Sequence, residues 1–535
     1  MMRHLDENTP PAAEGIVLGV DIGTTSTKAV AFDRFGNVWG SGTVGYPLEE
    51  PRPGEAVQDP DTILRAVLTA TATAAAETAE RGAQVKGLAF STAMHSLIAL
   101  DARGRPLTPS ITWADTRAAE QAERLHATPE GLELHRRTGT PLHPMSPLLK
   151  LIWFRERDPE VAAAARRWVG IKEYVLEHLT GEQVVDHSVA SATGLMDLAS
   201  LSWDREALGL AGLDPGQLPR LVPTRQVLAL TAAAAGELGL DPATPLVIGA
   251  TDGALANLGV GAVRPGVAAC SIGTSGALRV MVEKPAVDPR GRVFCYALTE
   301  DRWVVGGAIN NGGVVLQWAR DALAPELEPD EAPERLLAEA ARAPAGSAGL
   351  LMLPYLLSER APHWSSLPRG AYVGLTRAHH RPHLVRAALE GVCQQLALVM
   401  ESMRAAGNEV REVRATGGFA RSRLWRQMLT DALGMDIGFP AGPEGSSFGA
   451  ALLGMDALGL ASIELAAELI RIEETTTPDP EAAAVYRELL PLFAGLYDAL
   501  LPTFTTLHRL RSSLPDAAPA SADQTTAPTG GRTAP

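Results

Sequence analysis

Residues 21–28 read Asp-Ile-Gly-Thr-Thr-Ser-Thr-Lys and follow the apolar run Ile16-Val17-Leu18-Gly19-Val20. The pattern is that of a buried strand that ends in a carboxylate and enters a hydroxyl-rich turn. Such a turn offers closely spaced backbone N–H groups, with hydroxyls on Thr24, Thr25 and Ser26, and suits phosphate oxygens. Asp21 at its start is placed to hold Mg²⁺, usually through water. A second version follows Gly266–Ser271, where Gly273-Thr274-Ser275-Gly276 leads into Ala277–Val282. A lone Gly-Thr turn often does no more than reverse the chain. Two of them, each between strands and one per expected domain, point to a nucleotide gripped from both sides of a cleft. No Walker pattern GxxxxGK[ST] accompanies them, which disfavours a P-loop nucleotidase.

Asp252 follows the strand Pro245–Gly249 within Gly249-Ala250-Thr251-Asp252-Gly253-Ala254. The flanking glycines let backbone approach a ligand closely. A carboxylate there can accept the proton of a hydroxyl that attacks phosphorus. It can equally cap a helix over 253–259, and both roles are compatible. Gly306 to Gly313 is glycine-rich and leads into a helix bearing Gln317 and Trp318; Thr416-Gly417-Gly418-Phe419-Ala420 leads into a helix from Ser422. These glycines either admit a flat purine against backbone or serve tight strand–helix packing.

The elements that must position these groups follow an α/β order. Ile16–Val20, Ala29–Phe32 and Val38–Gly40 read as a three-strand meander, Asp61–Glu80 as a helix, and Val85–Phe90 as a strand. Helical patterns fill much of 117–180. Further strands are expected at 303–307 and 411–415, and a long helix near 383–405. With 535 residues the chain is too long for one core, so two layered α/β domains are expected, 15–250 and 251–510. Residues 1–14 read as a loose leader. Residues 511–535 read as a disordered tail with almost no large apolar side chain to offset its ordering entropy.

A net charge of −15 argues against a nucleic-acid partner, which would need a basic stripe, though not against a locally positive pocket for a small anion. The three cysteines, Cys270, Cys295 and Cys393, are widely spaced and read as buried thiols in a reducing compartment. No signal peptide and no run of eighteen apolar residues is found, so a cytoplasmic protein with no membrane span is expected.

Two longer stretches carry a family resemblance: Met145-Ser146-Pro147-Leu148-Leu149-Lys150-Leu151-Ile152-Trp153-Phe154-Arg155-Glu156, and Gly370-Ala371-Tyr372-Val373-Gly374-Leu375 followed by His383-Leu384-Val385-Arg386-Ala387-Ala388-Leu389-Glu390. With the turns, they make 16–505 resemble the FGGY carbohydrate kinases. The resemblance implies two actin-like, ribonuclease-H-like domains around a deep cleft, with ATP and Mg²⁺ as cosubstrates. It implies Asp252 as general base and Asp21 as the metal-proximal carboxylate. It implies Thr24, Thr25 and Ser26 as the first phosphate loop, and Gly273, Thr274 and Ser275 as the second. Gly313, Gln317, Gly417, Gly418 and Ser422 fall at nucleotide-contacting positions.

The Met94-His95 pair resembles the sugar-contacting pair of xylulose kinases, but Ser96 stands where those enzymes have glycine. The chain looks most like the family's gluconate kinases. The features are 139–147 with His143, 190–195, 310–313, and Leu353-Pro354-Tyr355-Leu356 with Glu359-Arg360-Ala361-Pro362. The implied substrate is a small sugar acid, D-gluconate, phosphorylated on its terminal hydroxyl. Another sugar such as xylulose and, remotely, an actin-like ATPase without sugar are the alternatives. Candidate donors to a substrate carboxylate are His95, His143, Lys150, Arg117 and Lys172. Relatives in this family are often homodimers.

Overall fold

The computed structural model describes residues 15–441 and 445–511. The expected leader 1–14 and the tail beyond Arg511 lie outside the described residues, while Arg511 itself closes a helix.

Two mixed sheets repeat one topology. The first runs, edge to edge, Val227–Ala229, Pro245–Thr251, Val85–Thr92, Ile16–Ile22, Ser26–Phe32, Val38–Gly45. The second runs Phe294–Thr299, Arg302–Ile309, Gly276–Val282, Val267–Ile272, Glu412–Thr416, Ile437–Ala441, Arg471–Thr476. In each, a tight hairpin (Ile16–Ile22 with Ser26–Phe32; Val267–Ile272 with Gly276–Val282) extends into a third antiparallel strand. On the other side the hairpin's first strand is joined by parallel strands. The faint internal repeat of the sequence is therefore a repeat of hydrogen-bonded topology. The strands also run longer than their apolar cores: Asp21 lies inside the first strand, paired with Lys28.

The helix Pro60–Glu80 starts at Asp59, whose carboxylate accepts the N–H groups of Asp61 and Thr62. Its Ala- and Thr-rich face, Ala66, Ala70 and Ala74, is small enough to lie close on the first sheet. The opposite face of that sheet is covered by a helix from far along the chain, Ser446–Ala457. A Cβ on Gly19 would come 1.8 Å from the Ser447 carbonyl oxygen, so only glycine allows this approach. One apolar cluster accordingly contains Val17, Val30 and Phe32 together with Leu278, Val392 and Phe448. The two halves of the chain share a core at their junction, which burial of apolar surface stabilises from both sides.

The longest described helix, Pro480–Arg511, has Pro491 and Pro502 within it and was not expected from the sequence. It buries Tyr486, Phe493 and Phe504. No helix among the described residues is long and apolar enough to cross a membrane.

Candidate active site

Both hydroxyl-rich turns sit at the same place, the tip of a hairpin. In the first, the Gly23 N–H donates to the Ser26 carbonyl at 3.0 Å. The Thr24 carbonyl accepts from Gln58 Nε2 at 2.7 Å, and its hydroxyl oxygen accepts from the Trp113 indole N–H at 2.9 Å. The Thr24 O–H and the exposed Thr25 remain free to donate. In the second turn the Gly273 N–H donates to the Ser275 carbonyl at 2.8 Å, and Gly273 and Thr274 are exposed. Its carbonyls are anchored to the start of the helix Val314–Leu323: Gly313 N–H donates to Gly273 at 2.6 Å and Gly312 N–H to Thr274 at 3.1 Å.

A cavity of about 630 Å³ opens beside the second turn. Six residues singled out from the sequence line it: Gly273, Thr274, Gly313, Gln317, Gly418 and Ser422. Leu316, Leu337, Phe419 and Trp425 give it apolar walls, and Arg320, Arg421 and Glu334 give it charged ones. That size and mixture suit a nucleotide. Gly417 stands behind the wall: at φ 107° its Cβ position is 2.4 Å from the Ile272 carbonyl oxygen, so it lets two strand ends meet. Ser275 does not line the cavity. The hydroxyl oxygen of Ser422 caps the helix Arg423–Leu433 by accepting the Trp425 N–H, leaving its O–H for a ligand. The contributions of Leu337 and Glu334, on the helix Ala332–Ala340, carried no signal in the sequence.

Asp252 begins the helix Asp252–Gly259, where the strand Pro245–Thr251 ends. The N-cap position belongs to Thr251, whose side chain makes no capping hydrogen bond, so Asp252 does not hold the capping position expected of it. The Asp252 carboxylate accepts its neighbour's N–H, from Gly253, at 2.7 Å. Asp21 is the last residue but one of a strand of the same sheet, and its Oδ1 accepts from Ser91 Oγ at 2.6 Å. Withdrawal from water lifts the Asp252 carboxyl to about 7; the nearby Asp21 charge adds to the rise and Arg279 opposes it. Asp21 is lifted by the same desolvation, against the Ser91 and Ser446 hydroxyls. Two carboxylates thus stand on one sheet, close enough for the charge of Asp21 to act on Asp252. The Asp252 carboxyl titrates near neutrality, the range in which proton acceptance from an alcohol is efficient.

Next to Asp252 lie Met94 and Arg279: a Cβ on Gly253 would come 2.9 Å from Met94 Cε and 3.3 Å from Arg279 Nε. His95 adopts φ 69°, and its Nδ1 lies 2.8 Å from the Ala192 carbonyl oxygen. A carbonyl only accepts, so Nδ1 carries the proton and Nε2 is left as the acceptor. Burial holds His95 neutral, down at about 3, with Lys150 and Arg360 adding to the effect. His143 is buried and neutral for the same reason. Its Nδ1 accepts the Met145 N–H at 3.3 Å, and its Nε2 meets no partner among the described residues.

Three of the five expected carboxylate donors are already committed within the protein. Buried Lys150 donates to the carbonyls of His95 and Thr112, both at 2.7 Å. Arg117 forks onto Asp115 with two 2.8 Å bonds. Lys172 is buried against Asp186. In their place the second half of the chain brings groups that sequence reasoning did not assign: Arg279, Tyr296 and Arg360. Arg360 lies over the Trp113 ring at 5.0 Å and donates through Nη2 to the Ile309 carbonyl at 3.1 Å. Its Nε, the Tyr296 hydroxyl, Arg279 Nε and Asn310 Oδ1 are sealed from solvent without partners among the described residues. Arg360 stood in a quoted family stretch, but Tyr296 and Arg279 are strand residues with no local signature.

Comparison with known proteins agrees with this geometry. Residues 16–259 match the N-terminal domain of the FGGY family of carbohydrate kinases, and residues 268–458 its C-terminal domain. The chain is 44% identical over 500 residues to a gluconokinase of Bacillus subtilis, covering 92% of this chain and 97% of that one. It is 32% identical over 491 residues to a xylulose kinase of Escherichia coli, covering 91% and 99%. The crystal structure of gluconate kinase from Lactobacillus acidophilus superposes with a TM-score of 0.87 at 35% identity, covering 92% and 99%. With two family domains matched along most of its length and two repeated sheets around one cleft, the chain belongs to the FGGY family of carbohydrate kinases.

Proposed function

We propose that the chain transfers the terminal phosphoryl group of ATP to the terminal hydroxyl of D-gluconate, giving 6-phosphogluconate. The observation that carries this reading is Asp252, a carboxyl lifted to about 7 on the same cleft as the hydroxyl-rich turns and beside unpartnered polar groups. Similarity to a gluconokinase at 44% identity supports the choice of acid.

In this reading the half ending near residue 250 contributes Met94, His95 and His143 to the sugar, and the remaining half the nucleotide cavity. Thr24, Thr25 and Ser26 face Gly273, Thr274 and Ser275 across the phosphate chain. Their N–H and O–H groups donate to oxygens whose charge grows during transfer. Asp252 accepts the proton of the attacking hydroxyl as the oxygen bonds to phosphorus, and releases it after the product leaves. Positioning supplies much of the rate, and closure of the cleft keeps water from competing as acceptor.

The residues present suit Mg²⁺, which is held by one or two carboxylates together with substrate phosphates rather than by an all-protein cage. Asp21, held by the Ser91 hydroxyl and facing Asp252, would hold it. When bound, the ion supplies positive charge against the phosphoryl oxygens. The three cysteines are free and buried, in keeping with a cytoplasmic enzyme.

A second reading, a neutral sugar such as xylulose, draws on the 32% identity to a xylulose kinase. Ser96 counts against it: its hydroxyl accepts the Ile171 N–H at 2.9 Å, so the departure from glycine is built into the wall beside His95. ADP release measured with gluconate, xylulose, glycerol and no sugar tests the reading. Gluconate is expected to give the highest kcat/KM. Faster turnover with xylulose, or full activity without sugar, would overturn it.

A further inference from the structure

We propose that His143, Tyr296 and Arg360 form the subsite that reads the carboxylate of the substrate, so that the enzyme prefers a sugar acid to the matching neutral polyol. This rests on the sugar-acid reading above and names the groups behind it.

Three polar atoms carry the inference: His143 Nε2, the Tyr296 hydroxyl and Arg360 Nε. Each is sealed from solvent and without a partner among the described residues. A buried polar atom left unpaired is costly, so each of the three calls for a partner, whether water or a ligand. All three are donors. The His143 Nδ1 accepts the Met145 N–H, so the ring proton sits on Nε2. Arginine has donors only, and the tyrosine hydroxyl is free to donate. Three donors suit a ligand group that only accepts, as a carboxylate does.

The three groups share one neighbourhood. Arg360 lies close enough to bias the ionisation of His95, His143 and Tyr296. The His95 and Tyr296 rings meet edge to face at 6.0 Å, and His143 meets Trp364 in the same way at 6.0 Å. Charge follows the same division. Both histidines are neutral, and Arg279 faces Asp252. Glu359, next in sequence to Arg360, has both oxygens engaged by the Asn310 N–H, the Arg360 N–H and the Asn311 amide. The Arg360 guanidinium, stacked on Trp113, is therefore a cation with capacity for an incoming anion, as is Arg279, whose Nε is also without a partner among the described residues. His143 comes from the first half of the chain and the other two from the second, so the subsite is complete only where the halves meet.

The test compares kcat/KM for gluconate with that for D-glucitol, which has CH₂OH in place of the carboxylate, in the wild type, Tyr296→Phe and His143→Asn. Asparagine keeps an acceptor for the Met145 N–H, and phenylalanine removes a single oxygen, so both variants retain the packing; thermal unfolding checks this. Each variant is expected to raise KM for gluconate by about ten- to hundredfold, the scale of a lost charge-assisted hydrogen bond, with a much smaller change in kcat. The preference for gluconate over D-glucitol is expected to shrink by a similar factor. If the wild type prefers gluconate but both variants lose the two substrates equally, or neither, the subsite assignment fails and the sugar-acid reading stands. If the wild type itself prefers D-glucitol or a keto sugar, both fail.

Discussion

The Gly313 N–H donates to the Gly273 carbonyl at 2.6 Å, and a Cβ on residue 313 would stand 2.7 Å from that same oxygen. The second hydroxyl-rich turn and the helix that follows the glycine-rich segment are thus locked together by a contact that tolerates no side chain. A Cβ on Gly273, by contrast, meets nothing within 4 Å. Gly313→Ala is expected to push the turn away, raise KM for ATP at least about tenfold and lower thermal stability by ~1–3 kcal/mol. Gly273→Ala is expected to leave stability within about 0.5 kcal/mol while still raising KM for ATP, because its methyl group enters the space of the phosphates. Kinetics and thermal unfolding of the pair check this; equal stability loss in both would contradict it.

Asp252→Asn is expected to lower kcat by about 10²–10⁴-fold with ATP binding retained. The same change is expected to stabilise the protein at neutral pH. The folded carboxyl lies near 7, above its unfolded value of 3.8, so the native state keeps a proton that the unfolded chain has lost. That contribution is fully present below pH 3.8 and gone above 7. The variant should therefore exceed wild type by roughly 1–3 kcal/mol at pH 8 and match it at pH 4, after allowing for solvent screening. Denaturant titrations at the two pH values measure it.

Activity should follow the same ionisation. A base role for Asp252 requires it deprotonated in the free enzyme, so on that proposal kcat/KM for the sugar is expected to fall tenfold per pH unit below about 7. A profile flat down to pH 5 would remove Asp252 from the role of base.

Lys172→Met tests whether the buried Lys172–Asp186 pair is structural. It leaves Asp186 charged and unpaired inside the protein, beside Glu173, whose carboxyl burial already lifts to about 7. A loss of ~3–5 kcal/mol is expected, with KM for gluconate in the remaining folded enzyme little changed. A selective rise in KM without loss of stability would return Lys172 to the substrate site.

Three histidines are held neutral by desolvation, buried His95 and half-buried His363 at about 3 and buried His135 at about 4. Their folded values lie below the unfolded value of 6.5, so the unfolded chain takes up protons first as pH falls. Their stabilising contribution is complete above pH 6.5 and is lost on descending toward 3–4. His363→Gln, where the ring stacks on Tyr497 at 3.5 Å, is expected to reduce proton uptake on acid unfolding by about one.

The turns at Thr24 and Thr274, the strand end at Asp252 and the helix start at Ser422 were legible because each is a local pattern. Apolar alternation, a glycine and a hydroxyl or carboxyl at fixed spacing specify hairpin tips and caps within a few residues. The helix Pro480–Arg511 was not legible, because Pro491 and Pro502 read as breaks until Tyr486, Phe493 and Phe504 are seen buried against the rest of the chain. Lys150, Arg117 and Lys172 looked like free cations until packing supplied their acceptors.

By itself, then, the amino-acid order determined two hydroxyl-tipped hairpins, an acidic strand end and the family they belong to. The tertiary structure alone decided which buried polar groups near Asp252 remain without partners among the described residues. It did so by bringing His143 near Arg360 and seating Tyr296 against His95. The physical reason is distance along the chain: backbone periodicity dictates neighbours a few residues apart, whereas the pairing or desolvation of a charge depends on side chains contributed by another sheet.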